Sequence, residues 1–238
     1  MKIIFSPTKS QQIPSTIFYN TTPILFLKKS EIIRNILKEF SLKELQKKFK
    51  LSDTLANKIY QYYQNDISRT PVIQLFTGIS FKQLQGMYQE KYHQYIQNHI
   101  VITSAAYGLL RPFDAVEPYR LDMKDIIMKE NIYSFWKEEI YEYFKKENCI
   151  LNLASLEYSK MIPNELKDKI TTVHFLIETK NRFKNVSTAS KKQRGKILDY
   201  CIKNEICDIS LLKKYSSDGF TFNKKKSNKN SFYYIYRK

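Results

Sequence analysis

Four short apolar runs constrain this chain more than any other feature. KIIF (2–5), HIVITSAAYG (99–108), CILNLAS (149–155) and TTVHFLIE (171–178) are nearly uninterrupted by charge. A strand with one wet face alternates apolar and polar residues, whereas a continuous run suits a strand covered on both faces. Helical segments separate the runs. In IYSFWKEEIYEYFKKE (132–147), Ile132, Phe135, Trp136, Ile140, Tyr143 and Phe144 fall on one helical face. The pattern is that of an α/β fold of mixed α+β character: one compact domain over 1–238 with a mixed sheet.

Local signals fill in the rest. Ser30, Ser41 and Ser52 are predicted to cap helices at 31–40, 42–49 and 53–64, with Glu44 completing a capping box. Residues 28–66 thus read as a helical insertion. PVIQLFTG (71–78) is predicted as a strand, 80–98 as helix broken near Gly86, 156–161 and 188–204 as helices, and RFKNVS (182–187) as a strand. GFTF (219–222) and SFYYIYR (231–237) are predicted to form a C-terminal hairpin around NKKKSNKN.

Four strand ends pass at once into polar residues: SPTKS (6–10), AAYGLLRP (105–112), LEYSK (156–160) and TASKKQRG (188–195). The carboxyl ends of strands in an α/β sheet meet on one rim, where ligands bind. Ser6, Lys9, Ser104, Tyr107, Arg111, Asn152, Ser155, Tyr158, Lys160, Ser187, Lys191 and Arg194 are therefore expected in one cleft. Helix N-termini would add N–H donors for an anion. Such a set suits a phosphate or nucleotide.

Charge supports a polyanionic partner. The chain carries a net +17, of which residues 179–238 contribute +12 from 16 basic and four acidic residues. Of the 40 basic residues only seven are Arg, and the wealth of Lys, Ile, Asn and Tyr also fits AT-rich coding. That second reading does not explain the clustering toward the C-terminus. Met1-Lys2 is followed by only three apolar residues before Ser6-Pro7, and no run reaches the roughly 20 apolar residues of a membrane span. Cys149, Cys201 and Cys207 form no CxxC. A reduced, cytoplasmic location is expected, with no membrane partner.

AAYGLLRPFDAVEPYRLDM (105–123) fits no regular element, although it holds one of five glycines and two of seven prolines. Gly108 permits a sharp exit from a strand, and Pro112 and Pro118 stiffen the loop. Two readings stay open. The loop holds Arg111 and Arg120 forward as planar forks for an anion, or it folds them back onto Asp114, Glu117 and Asp122.

With these segments in view, the chain resembles the YaaA family of peroxide-stress proteins. SPTKS (6–10), LSDTLANKIYQYY (51–63), FTGISFKQL (76–84), SAAYGLLRPFDAVEPYRLDM (104–123), IYSFW (132–136), LNLASLEYSK (151–160) and KKQRGKIL (191–198) carry the resemblance in family order. It implies a YaaA-like fold with a basic cleft, association with duplex or distorted DNA, and protection from peroxide by limiting iron-dependent damage. It also implies a helix-hairpin-helix element. LKELQKKFKLSDTLANKIYQYY (42–63) is the local candidate, with Leu42, Leu45, Phe49, Leu51, Ala56 and Ile59 as its small core. Its turn, Lys50-Leu51-Ser52, lacks the usual glycine, which weakens the case for backbone phosphate binding and leaves Lys47, Lys48, Lys50 and Lys58 as the side-chain contacts, with a plain helical hairpin as the other reading. Ile177 stands where the family has the first acid of a pair, leaving Glu178 alone, and Thr188-Ala189-Ser190 replaces its small aromatic.

No catalytic constellation emerges; Lys9 and Glu178 are the candidates. His93, His99 and His174 show no metal-ligand spacing, and no metal or cofactor is expected. The leading expectation is non-catalytic DNA binding, with Lys and Arg on phosphates and Tyr107, Tyr119 and Tyr158 stacking on exposed bases. The alternative is an enzyme acting on a nucleotide or nucleobase at the same rim through Lys9, Arg111 and Glu178.

Overall fold

The structure, a computed structural model, describes residues 1–65, 67–180 and 182–237. Its strands are β1 (Lys2–Phe5), β2 (Thr70–Pro71), β3 (Ile100–Ser104), β4 (Gly108–Leu110), β5 (Ala115–Val116), β6 (Ile150–Asn152), β7 (Ile170–Thr179), β8 (Arg182–Lys184), β9 (Ser216–Ser217), β10 (Phe220–Phe222) and β11 (Ser231–Arg237). The helices are α1 (Leu27–Glu39), α2 (Leu42–Phe49), α3 (Asp53–Gln64), α4 (Val72–Leu75), α5 (His93–His99), α6 (Ile132–Phe144), α7 (Leu156–Ser159) and α8 (Ser187–Lys203).

The apolar runs form the middle of one nine-stranded sheet. Five parallel strands lie in the order β3-β1-β6-β7-β11. β1 and β3 are buried almost without interruption, as continuous apolar runs require. Antiparallel strands finish both edges: β4 beside β3, and β10 then β9 beyond β11, while β8 folds back on β7. This is the mixed α/β sheet in a single compact domain that the sequence implied, with the hairpin at its C-terminus.

α6 presents Ile132, Phe135, Trp136, Ile140 and Phe144 to the core. Trp136 is fully buried, and its indole N–H donates to the Ala105 carbonyl at 2.9 Å. Gly108 sits at φ +69, and a side-chain Cβ there would meet Trp136 Cε3 at 2.7 Å. The loop can therefore leave β3 only through a glycine. Burial of roughly 200 Å² of indole is worth about 5 kcal/mol.

Several local expectations are corrected. PVIQLFTG is not a strand: only Thr70 and Pro71 pair with β5, and Val72 to Leu75 make one helical turn. Ser30 is not a cap but lies inside α1, its hydroxyl donating to the Phe26 carbonyl. Residues 80–98 are not one broken helix: 3-10 turns at 81–83, 86–88 and 90–92 precede α5, and α8 packs against the first two so closely that a Cβ at Gly86 would lie 3.0 Å from Ile202. The α2 capping box of Ser41 and Glu44 is present. α2 and α3 close on Leu45, Phe49, Leu51, Ala56 and Ile59. Their turn offers no backbone cradle: Lys50 is left-handed at φ 50, and the Lys50 and Leu51 N–H groups both donate to the Gln46 carbonyl. The helices form a helical hairpin, with the turn amides satisfied within it. Tyr63 on α3 exchanges hydrogen bonds with the Arg120 backbone, and Arg34 on α1 pairs with Glu117 at 2.7 Å. The insertion thus braces the 105–123 loop from behind.

Candidate functional site

A cleft of about 540 Å³ opens where three elements end on one rim of the sheet. β1 runs out into Ser6, Thr8, Lys9 and Ser10; β6 runs out into Leu153, Ser155 and Tyr158; α8 brings Ser187, Lys191 and Arg194. The Ser155 N–H donates to Ser6 Oγ at 2.8 Å, tying the first two strand exits together. The α8 residues recur at four- and three-residue spacing, one face of a helix. That face is held close by Gly195, where a Cβ would lie 2.2 Å from the Ser80 carbonyl oxygen. The Ser80 hydroxyl also donates to the Lys191 carbonyl at 2.9 Å.

Charge in the cleft is nearly balanced. Lys9, Lys191 and Arg194 face Asp122 and Glu157. Asp122 is engaged: Lys9 Nζ lies at 2.5 Å, Arg120 Nη1 at 3.4 Å, and the Tyr158 hydroxyl donates to it at 3.4 Å. Arg194 is different. Its Nε is buried without a hydrogen-bond partner, and no carboxylate among the described residues pairs with it. Burial draws the Arg194 pKa below its ordinary value, since removing water disfavours the charged form. Burial likewise pushes the Tyr158 hydroxyl above the ordinary tyrosine range.

The structure brings together Ser6, Lys9, Ser155, Tyr158, Ser187, Lys191 and Arg194 of the expected set, with Arg120 one step behind through Asp122. The others are elsewhere. Arg111 is no free fork: Nε and Nη2 both engage Asp114, at 3.0 and 2.9 Å, and Nη2 also donates to the Pro23 carbonyl. The geometry selects the folded-back reading, because a fully buried Asp114 needs a counter-charge. Tyr107 and Tyr119 pack edge to face at 5.3 Å inside the loop. The Tyr107 hydroxyl donates to the Glu117 carbonyl, and the Tyr119 hydroxyl accepts from Ser104. Neither ring is a platform for bases; of the three tyrosines Tyr158 alone lines the cleft. Asn152 holds the Ala154 N–H and Thr172. Lys160 is exposed at the end of α7, outside the cleft wall. Lys50 and Lys58 are exposed on the helical hairpin, Lys58 lying 5.7 Å from the Tyr62 ring. Glu178 pairs across strands with Arg237 at 2.9 Å and is not in the cleft.

Several contributors escaped the sequence reading, Thr8, Ser10 and Glu157 among them. The loop of Gly78, Ile79, Ser80 and Phe81 forms one wall of the cleft. Asp122 was visible as a partner for arginine, but nothing local linked it to Lys9, 113 positions away. Among the described residues there is no group of three or more side chains able to hold a metal, and no helix is long and apolar enough to cross a membrane.

A family model described as peroxide stress protein YaaA matches residues 1–226. The chain is 36% identical over 243 residues to a UPF0246 protein of Fusobacterium nucleatum subsp. nucleatum, covering 98% of this chain and 97% of the relative. A UPF0246 protein of Finegoldia magna is 36% identical over 242 residues, covering 99% and 98%. One from Crocosphaera subtropica is 37% identical over 228 residues, covering 90% and 91%.

Proposed function

The chain belongs to the peroxide stress protein YaaA family, and on that premise we propose that it serves the oxidative-stress response by binding DNA along the cleft rim. Bound DNA would be shielded from iron-dependent oxidation. The observation that carries this reading is Arg194, a largely buried guanidinium that lines the cleft without a counter-ion. A buried cation is retained at a cost unless an anion completes it. A phosphate oxygen set between Arg194 and Lys191, with Ser6 and Ser187 hydroxyls at hand, supplies that anion.

Because the cleft itself is nearly charge-balanced, most of the affinity would come from outside it. The last 60 residues contribute +12 of the net charge. Log affinity for a short duplex should fall with log salt at about 0.9 per neutralised phosphate. Replacing Lys224, Lys225 and Lys226 by Ser should keep the melting temperature, since all three are exposed, and should lower that slope by at most about 3. Fluorescence anisotropy at several salt concentrations measures it. No binding at low salt, or binding indifferent to salt, contradicts the proposal.

The cleft's size supports a second reading, an enzyme acting on a nucleotide or nucleobase, since about 540 Å³ is the volume of a small-molecule site. The set of Lys9, Arg111 and Glu178 does not assemble there, which leaves that reading without its catalytic groups. Incubation with nucleotides and chromatography of the products separates the two.

A further inference from the structure

At the opposite, amino-terminal end of the parallel strands lies a thiol with its own base. Cys207 is exposed in the chain that follows α8, and its Sγ sits 4.0 Å from Nε2 of His99. The other ring nitrogen of His99, Nδ1, lies 2.8 Å from the Met1 carbonyl oxygen. A carbonyl only accepts, so Nδ1 carries the proton, and the lone pair of the neutral imidazole is on Nε2, facing the sulfur. The tautomer is therefore set by the backbone, and it is the one that can take a proton from the thiol.

The pair is also held. The Tyr95 ring stacks on His99 with centroids 4.5 Å apart, and its hydroxyl donates at 2.6 Å to the carbonyl of Ile206, the residue before Cys207. One buried side chain thus fixes both the base and the backbone of the nucleophile. A nucleophile beside a base that a third group orients is the arrangement of an activated thiol, and here sulfur and nitrogen sit at the outer limit of a sulfur hydrogen bond. The other two cysteines lack it. Cys201 is buried in α8 and Cys149 is half-buried, and burial pushes both thiols above their ordinary range.

We propose that Cys207 and His99 form a thiol–imidazole pair that reduces hydrogen peroxide, making Cys207 a site of oxidative modification. The Cys207 proton passes to His99 Nε2. The sulfur attacks one peroxide oxygen, the O–O bond breaks, and the departing hydroxide takes the proton back from His99 as water. Sulfur is oxidised by two electrons to the sulfenic acid, and peroxide is reduced by two. The site is remote from the cleft and does not depend on DNA binding.

The test uses the full chain, fully reduced, with stoichiometric hydrogen peroxide and dimedone as the sulfenic-acid trap, read by peptide mass spectrometry. The adduct is expected at Cys207 first, with Cys149 and Cys201 as internal controls. His99→Gln should slow its appearance about tenfold or more, because the base is gone. Tyr95→Phe keeps the stacked ring and loses the Ile206 bond, and should slow it less. Thermal unfolding of each variant is read alongside, and if His99→Gln does not fold, Tyr95→Phe decides. Adduct at Cys149 ahead of Cys207, or equal Cys207 rates in the wild-type chain and the folded variants, overturns the proposal.

Discussion

Replacing Arg194 by Met weakens DNA binding about tenfold to a hundredfold and leaves the fold intact or slightly firmer. The first half follows from losing a charged hydrogen bond to phosphate, worth about 1.5–3 kcal/mol. The second follows from the cost Arg194 imposes on the free protein. Its Nε is buried with no partner, and burial already lowers its pKa. Met has similar reach and no charge to desolvate, so its replacement relieves a penalty. A residue kept for stability would behave in the opposite way: its removal would lower the melting temperature and leave affinity alone. Anisotropy and thermal unfolding on the one variant separate the two. Coupled loss of stability with unchanged affinity would retire Arg194 as an anion contact.

Arg111→Met is expected to show that opposite pattern. Asp114 is fully buried and accepts from Arg111 through side chain and backbone, and from the Thr22 hydroxyl at 2.7 Å. Taking away the guanidinium leaves a buried carboxylate without its counter-charge, a loss of about 3–5 kcal/mol. In a chain of 238 residues that corresponds to about 6–20 °C in melting temperature. The variant should recover as pH falls. Burial holds the Asp114 carboxyl above its ordinary range, so the folded form takes up a proton that the unfolded form releases. Stability is then fuller below the ordinary carboxylate pKa of about 4 and declines as pH rises through the raised folded value. Adding Asp114→Asn to Arg111→Met should restore part of the loss at neutral pH. Affinity of the folded variant for DNA should match the wild type. A stable Arg111→Met protein that binds poorly would return Arg111 to the anion site.

These two arginines show how far the sequence could be read. Both follow a predicted strand in a stretch that holds a glycine, Gly108 or Gly195, so both looked like rim cations. Arg194 keeps that role because α8 carries it along the cleft at a fixed helical angle, which periodicity reveals. Arg111 loses it because it folds back onto Asp114, a partner the sequence offered nearby, and is held there by the Pro23 carbonyl, 88 positions earlier, a contact that no local pattern announces. β1, β3 and β6 were legible since burial on both faces leaves an apolar run, whereas β7 alternates buried and half-buried residues although TTVHFLIE reads as continuous. The same signal misled at PVIQLFTG, where a short apolar run fits a buried helical turn as well as a strand. The helical hairpin was legible from caps and spacing. The use of its turn was not, because Lys50 takes a left-handed conformation usually given to glycine and closes the helix end on itself. Asp122 shows the remaining gap: ion pairs that assemble a cleft join distant segments, here the loop after β1 and the 105–123 loop.

The central claim is that DNA phosphates engage the cleft rim. Backbone hydrogen exchange, followed by mass spectrometry with and without a short DNA duplex at low salt, tests it most directly. Protection should appear in peptides covering residues 6–10, 78–81, 153–158 and 187–194, the segments that line the cleft, and should fade as salt is raised. Protection confined to the helical hairpin at 42–63 or the 223–230 loop, with the cleft segments exchanging as in the free protein, would contradict it.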